Sequence, residues 1–114
     1  MMRPIAPFCL LALCLVFSLP VLAQTPVVIG AGGNSCGKRT NTIGVPGHNE
    51  YEGWVLGFIS AYDMYVSTTG HVNAGTDARG LLGWIDNYCS AHPLEQINTA
   101  AVRLIDELRR RGAR

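Results

Sequence analysis

The sequence predicts an all-α fold: a small three-helix domain with an extended N-terminal arm that is held to it by one disulfide. Three segments beyond residue 48 repeat apolar residues at helical spacing, no segment keeps the alternation of a strand, and 114 residues allow one small domain. Apolar residues make up 48% of the chain and charged residues 15%, which excludes a disordered acidic or basic chain. The formal charge of +1 argues against a nucleic-acid partner, which would need a basic stripe.

Residues 1–23 have the three-part pattern of a secretory signal peptide. Arg3 supplies the positive start, residues 8–17 form an apolar run, and small residues precede the expected cleavage site after Ala23. The apolar run is about half of the ~20 residues needed to span a bilayer, so we expect no stable membrane anchor. The sequence therefore predicts an exported protein.

Cleavage would leave two of the four cysteines, Cys36 and Cys89, in a mature chain with eight basic and eight acidic residues. An oxidising compartment favours a disulfide between them. This bond would close a loop of 53 residues and contribute about 4 kcal/mol to stability. A catalytic thiol or a metal site is the alternative, but no Cys-x-x-Cys and no nearby His pair supports either, so we expect no metal and no cofactor.

Residues 24–48 are rich in Gly, Asn, Pro and Thr, and they predict an arm with turns. Residues 32–38 nearly match a phosphate-binding loop, but Arg39 occupies the position where the motif needs Ser or Thr for Mg²⁺. Glycine and proline follow instead of a helix. We therefore expect no nucleotide site, a flexible loop at residues 32–38, and an arm that is ordered or semi-ordered as a whole.

The first helix is expected to start at Asn49 as N-cap, with Glu52 as its partner in a capping box. A stripe of small residues, Gly53, Gly57 and Ala61, predicts a closely packed neighbour. The apolar residues at helical spacing are Tyr51, Trp54, Val55, Phe58, Tyr62, Tyr65 and Val66.

The second helix follows a polar segment, residues 67–76, which we call the connector. Thr76 or Asp77 can cap this helix, and Cys89 lies at its inward end, where it can hold the arm through the disulfide. The residues expected on its buried face are Ala78, Leu81, Leu82, Ile85, Tyr88 and Cys89.

The third helix is expected to start at Pro93, with Glu95 in its first turn. The residues 109–111 are all arginine and match the negative end of the helix dipole, and Gly112 can end the helix. The residues expected on its core face are Leu94, Ile97, Ala101, Leu104, Ile105 and Leu108. The helical domain thus spans residues 49–114.

Two carboxylates and three aromatic residues are the candidate site residues. Asp63 and Asp86 each fall among apolar helical residues. A surface or helix-end carboxylate is the ordinary expectation at such positions, and a partly buried carboxylate that responds to pH is the alternative. Trp54, Phe58 and Trp84 are candidates for binding a partner.

No constellation in the sequence supports an enzyme. Ser60 or Ser67 could join His71 and Asp77 in a hydrolase-like cluster, but no framing motif accompanies them. The histidines are spaced too widely for a zinc site. We therefore expect no catalytic residues and no metal ligands.

Four strings carry a family resemblance: residues 35–37, 54–62, 84–89 and 92–94. Together they resemble the HdeA/HdeB acid-stress chaperones, which are small exported bacterial proteins, and they are similar also to the Tai-type immunity proteins of type VI secretion amidases. The chaperone resemblance implies a periplasmic protein that is folded at neutral pH, can form a homodimer, and binds unfolded clients in acid. The immunity resemblance implies that the connector enters the cleft of a secreted amidase. Either way the partner is a protein.

Overall fold

The computed structural model describes residues 2, 22–68, 70–72 and 75–112, so almost all of the predicted signal peptide lies outside the described residues. The predicted all-α class is confirmed, because the described part contains helices and no strand. Among the described residues, none of the helices has the length and apolar character needed to span a bilayer. The elements are a 3-10 turn at Gly30–Gly33 and four helices: α1 Cys36–Thr40, α2 His48–Tyr65, α3 Ala78–Ala91 and α4 Ile97–Gly112.

The core lies where α2, α3 and α4 face one another, and helical periodicity predicts most of it. Ile59 joins the core although the pattern did not include it, whereas Tyr65, Val66 and Leu94 were expected inside and are exposed. The buried residues of the three long helices are Tyr51, Val55, Ile59, Leu81, Ile85, Cys89, Ile97, Ala100, Ala101, Leu104, Ile105 and Leu108.

The N-terminal segment is ordered against the helices from residue 30 onward, as the ordered arm predicts, and the expectation of a flexible loop at residues 32–38 is wrong. The indole Nε1 of Trp54 donates a hydrogen bond of 2.7 Å to the carbonyl of Ile29. Gly32 is buried against the same indole, where a Cβ would overlap the ring. The glycines therefore let the backbone approach the tryptophan closely, which is a packing role and not a phosphate-binding one.

The disulfide between Cys36 and Cys89 is confirmed and joins the first residue of α1 to α3, with both cysteines fully buried. Ser35 caps α1, since its hydroxyl accepts a hydrogen bond from the backbone N–H of Lys38 at 3.1 Å. At α3, the predicted cap is confirmed in the same way, because the Asp77 carboxylate accepts from the N–H of Gly80 at 2.8 Å.

Pro93 does not begin the last helix, which starts at Ile97 instead. Residues 93–96 form a turn whose carbonyls serve α1. The N–H of Cys36 donates to the carbonyl of Glu95 at 2.7 Å, and the N–H of Gly37 donates to that of Pro93 at 2.9 Å. The turn satisfies two N-terminal donors of α1 that a longer α4 would leave unpaired.

Two expectations for the first long helix are also wrong. Gly47 precedes α2 with a left-handed φ of 96°, so the helix begins at His48 and Asn49 lies inside its first turn instead of capping it. Gly53 and Gly57 face open space, since a Cβ at either position would have no neighbouring atom within 4 Å. Their stripe is therefore a solvent-facing surface among the described residues and not a packing contact.

Candidate functional site

The connector is attached to the end of α2 by the carboxylate of Asp63. Its Oδ1 accepts a hydrogen bond from the backbone N–H of Val72 at 2.6 Å, and its Oδ2 lies 2.9 Å from Nδ1 of His71. The Asp63 side chain is only 15% exposed, while that of His71 is largely exposed. One carboxylate thus fixes two consecutive connector residues.

The hydrogen bond from the Val72 N–H lowers the pKa of Asp63 below its ordinary value of 3.8, and the imidazole of His71 lowers it further. Partial burial acts in the opposite direction and does not cancel these effects. Because the folded pKa lies below the unfolded one, the ionised carboxylate stabilises the fold above about pH 3.8, and this contribution is lost as the pH falls through the folded pKa. The pH sensitivity of the two candidates, Asp63 and Asp86, stays a prediction.

Next to this contact, the C-terminal end of α2 exposes three consecutive apolar residues. The relative exposures of Met64, Tyr65 and Val66 are 72%, 82% and 57%. Scattered exposed apolar residues are ordinary on a protein surface, but a contiguous group is a candidate binding patch. The connector thus meets α2 beside an apolar surface.

The second candidate carboxylate, Asp86, is paired with a buried arginine. The guanidinium Nη1 of Arg39 donates to the Oδ1 of Asp86, and the side chains are 0% and 42% exposed. The Nε and Nη2 of Arg39 are buried with no hydrogen-bond partner among the described residues. This pair holds α1 against α3 beside the disulfide.

Sequence reasoning missed Arg39, because an arginine in a glycine-rich segment is normally assigned to solvent. The available signal is its position three residues after Cys36, which places both on the same face of a helix. Because the disulfide buries Cys36 on one face of α1, the residue three positions later on that face, Arg39, is buried as well.

The candidate aromatic residues lie in two stacked groups. The rings of Trp54 and Phe58 are 5.3 Å apart at 18°, and those of Trp84 and Tyr88 are 5.2 Å apart at 15°. Trp54 packs against the N-terminal segment, whereas Trp84 is partly exposed on α3. The role of these residues in binding a partner stays a prediction.

Tyr88 continues this stack to His92, with ring centroids 4.2 Å apart. Its hydroxyl donates a hydrogen bond of 2.5 Å to the Glu95 carboxylate, which raises the pKa of Tyr88 above its ordinary value of 10.0. Partial burial raises it further. The stack therefore braces the turn between α3 and α4.

The hydroxyls considered for a hydrolase-like cluster are hydrogen-bonded elsewhere. Ser60 donates to the carbonyl of Leu56 at 2.8 Å, and Ser67 donates to that of Gly70. The imidazole of His71 faces Asp63 and neither serine. Within residues 22–68, 70–72 and 75–112, no three His, Cys, Asp or Glu side chains come together as a metal site.

No family model, curated protein or solved structure matches this chain. The case for a function therefore depends on the side chains described above, of which the Asp63 contact combines geometry, a shifted pKa and an adjacent apolar surface.

Proposed function

We propose that the mature chain is an exported, periplasmic holdase that binds unfolded proteins at low pH and is folded at neutral pH. The observation that carries this proposal is the attachment of the connector through the ionised carboxylate of Asp63, directly beside the exposed residues Met64–Val66. Protonation of Asp63 removes the charge that both connector contacts favour. The connector then separates from α2, and the apolar surface grows at that point.

The charge balance supports the same direction. The mature chain carries eight basic and eight acidic side chains, so its net charge near neutral pH is about zero. In acid the carboxylates become neutral while the basic groups and three histidines are positive, which takes the net charge toward +11. Mutual repulsion then opposes the compact state. The buried disulfide supports the proposed compartment, because such bonds persist in oxidising surroundings.

The test is the aggregation of an acid-unfolded client, followed by light scattering with and without the purified mature chain. We expect suppression at about pH 2–3 and none at about pH 7. An Asp63→Asn variant lacks the negative charge that holds the connector at neutral pH. It should therefore suppress aggregation at a higher pH than the parent protein. A Glu50→Gln variant is the matched control, since this exposed carboxylate in the first turn of α2 lies away from the connector and makes no ion pair among the described residues. Absence of suppression by the parent at about pH 2–3 would overturn the proposal.

An amidase-immunity function is the second candidate. The observation that favours it is that Thr68, Gly70, His71 and Gly75 of the connector are exposed, while Asp63 anchors the connector at His71 and Val72. A loop held on a rigid helical scaffold can enter an enzyme cleft. This function requires inhibition of a purified type VI secretion amidase at neutral pH, with inhibition lost in a connector variant such as Thr68→Arg. Unchanged amidase turnover in a large excess of the parent protein would exclude it for that enzyme.

A further inference from the structure

A broad groove runs between the connector and the last turns of α4. Its volume is about 1260 Å³, above the roughly 300–1,000 Å³ of most small-molecule pockets. This size suits an extended peptide segment better than a small ligand. The lining, which we call the connector groove, includes Tyr62, Val66, Val72, Leu108 and residues 109–111.

The connector groove combines apolar and hydrogen-bonding surfaces. Tyr62, Val66 and Leu108 supply apolar lining, and the hydroxyls of Ser67 and Thr76 lie on the connector side. Val66 is more than half exposed, so part of this apolar surface is uncovered. A peptide with apolar side chains could therefore make apolar contacts and hydrogen bonds within the same groove.

The α4 side of the connector groove is positively charged. Its lining carries the guanidinium groups of Arg109, Arg110 and Arg111 against the single carboxylate of Asp106. Glu107 lies outside the lining and is shared by Arg110 and Arg111, so one carboxylate serves two guanidinium groups. Arg109 has no carboxylate within 4 Å among the described residues. The negative end of the helix dipole offsets about half a charge, which leaves the rim positive.

We propose that the connector groove binds an acidic peptide segment with interspersed apolar residues, contributed by a partner protein at neutral pH. Carboxylates of the segment pair with Arg109 and with the shared guanidinium groups, while apolar side chains contact Val66 and Tyr62. This site shares Val66 with the surface proposed for the holdase, but it acts in the folded protein at neutral pH and does not require the connector to separate from α2.

The test is fluorescence anisotropy at neutral pH and low salt with a labelled peptide of alternating glutamate and leucine. We expect saturable binding that weakens as the salt concentration rises, since exposed ion pairs are screened. Arg109→Glu should weaken binding by about fivefold or more, because it replaces an attraction by a repulsion. Val66→Asn should also weaken it, through the apolar contact. A lysine–leucine peptide should not bind.

Arg103→Glu is the matched control, because it makes the same charge change on the same helix but lies near Tyr88 and outside the groove lining. If Arg103→Glu and Arg109→Glu weaken peptide binding equally, the effect comes from the overall charge of the protein and not from the groove, and the proposal is overturned. The proposal is also overturned if Arg109→Glu weakens binding to anionic phosphatidylglycerol vesicles but leaves peptide binding unchanged, since the ligand would then be a membrane. Absence of saturable peptide binding by the parent protein also overturns it, whatever the outcome of the holdase assay.

Discussion

Replacing Asp86 by alanine should destabilise the protein strongly, because it leaves the charge of Arg39 buried without a counter-ion. The Arg39 side chain is 0% exposed and has one hydrogen-bond partner among the described side chains, the Asp86 carboxylate. Its Nε and Nη2 are already buried without partners in that part of the chain. Among the described residues, the variant therefore removes the one counter-charge in contact with a desolvated guanidinium.

Removing one member of a buried ion pair typically costs about 3–5 kcal/mol. The Asp86 side chain is 42% exposed, so water reaches its carboxylate and the cost falls at the lower end, about 3 kcal/mol. A domain of this size has a total stability of about 5–15 kcal/mol, so the loss is a substantial fraction. Each kcal/mol shifts the Tm of such a domain by about 4–8 °C, which predicts a fall of about 12–24 °C.

The matched variant is Arg39→Met, which keeps an unbranched side chain and removes the buried charge. Replacing a buried charge by an apolar group of similar length is often nearly neutral, so we expect a change below about 1 kcal/mol. In the Arg39→Met background, Asp86→Ala should cost under about 0.5 kcal/mol, as at an ordinary surface position. Urea unfolding followed by circular dichroism measures all four proteins. If Asp86→Ala costs the same in both backgrounds, the two side chains are not coupled and the reasoning fails.

The disulfide, the Asp63 contact and the N-terminal packing give three further predictions. Replacing Cys36 and Cys89 by serine should lower the free energy of unfolding by about 4 kcal/mol, and added reductant should then have no effect on urea unfolding. Asp63→Asn should remove part of the stability that the parent loses as the pH falls below about 3.8, so an unchanged pH profile of the urea midpoint contradicts the assigned contact. Gly32→Ala should cost about 1–3 kcal/mol through overlap with the indole beneath it. Gly53→Ala, in open space on α2, should instead stabilise by about 0.5–1 kcal/mol, and a reversed order of the two would refute the packing argument.

Helical periodicity predicts the parts of the fold in which burial depends on one face of one helix. In α4 the expected core residues from Ile97 to Leu108 are buried, because the 3.6-residue repeat is long and uninterrupted there. The Asp77 cap is also predictable, since a cap depends on residues within one turn. The disulfide follows from the count of cysteines once the predicted signal peptide is set aside.

Local rules fail where a segment is fixed by residues far away in the sequence. Pro93 is a good first residue of a helix, but its carbonyl is needed by the N–H of Gly37, and Leu94 is left 96% exposed. Glycine-rich residues 30–33 suggest flexibility until the indole of Trp54 is placed against them. Neither partner can be found from periodicity within one segment.

The two candidate carboxylates show the same division between what a local pattern reveals and what it cannot. Their positions within apolar helical runs left Asp63 and Asp86 as either surface or partly buried carboxylates. Arg39 is 47 residues from Asp86, and no spacing rule joins them. In the fold, each carboxylate holds a segment outside the three long helices: Asp63 holds the connector, and Asp86 holds α1. The core among the long helices consists of aliphatic residues together with Tyr51 and the disulfide, and its described members include no carboxylate and no histidine. Because the disulfide restrains α1 and leaves the connector free, acid should release the connector from Asp63 before it separates the helices.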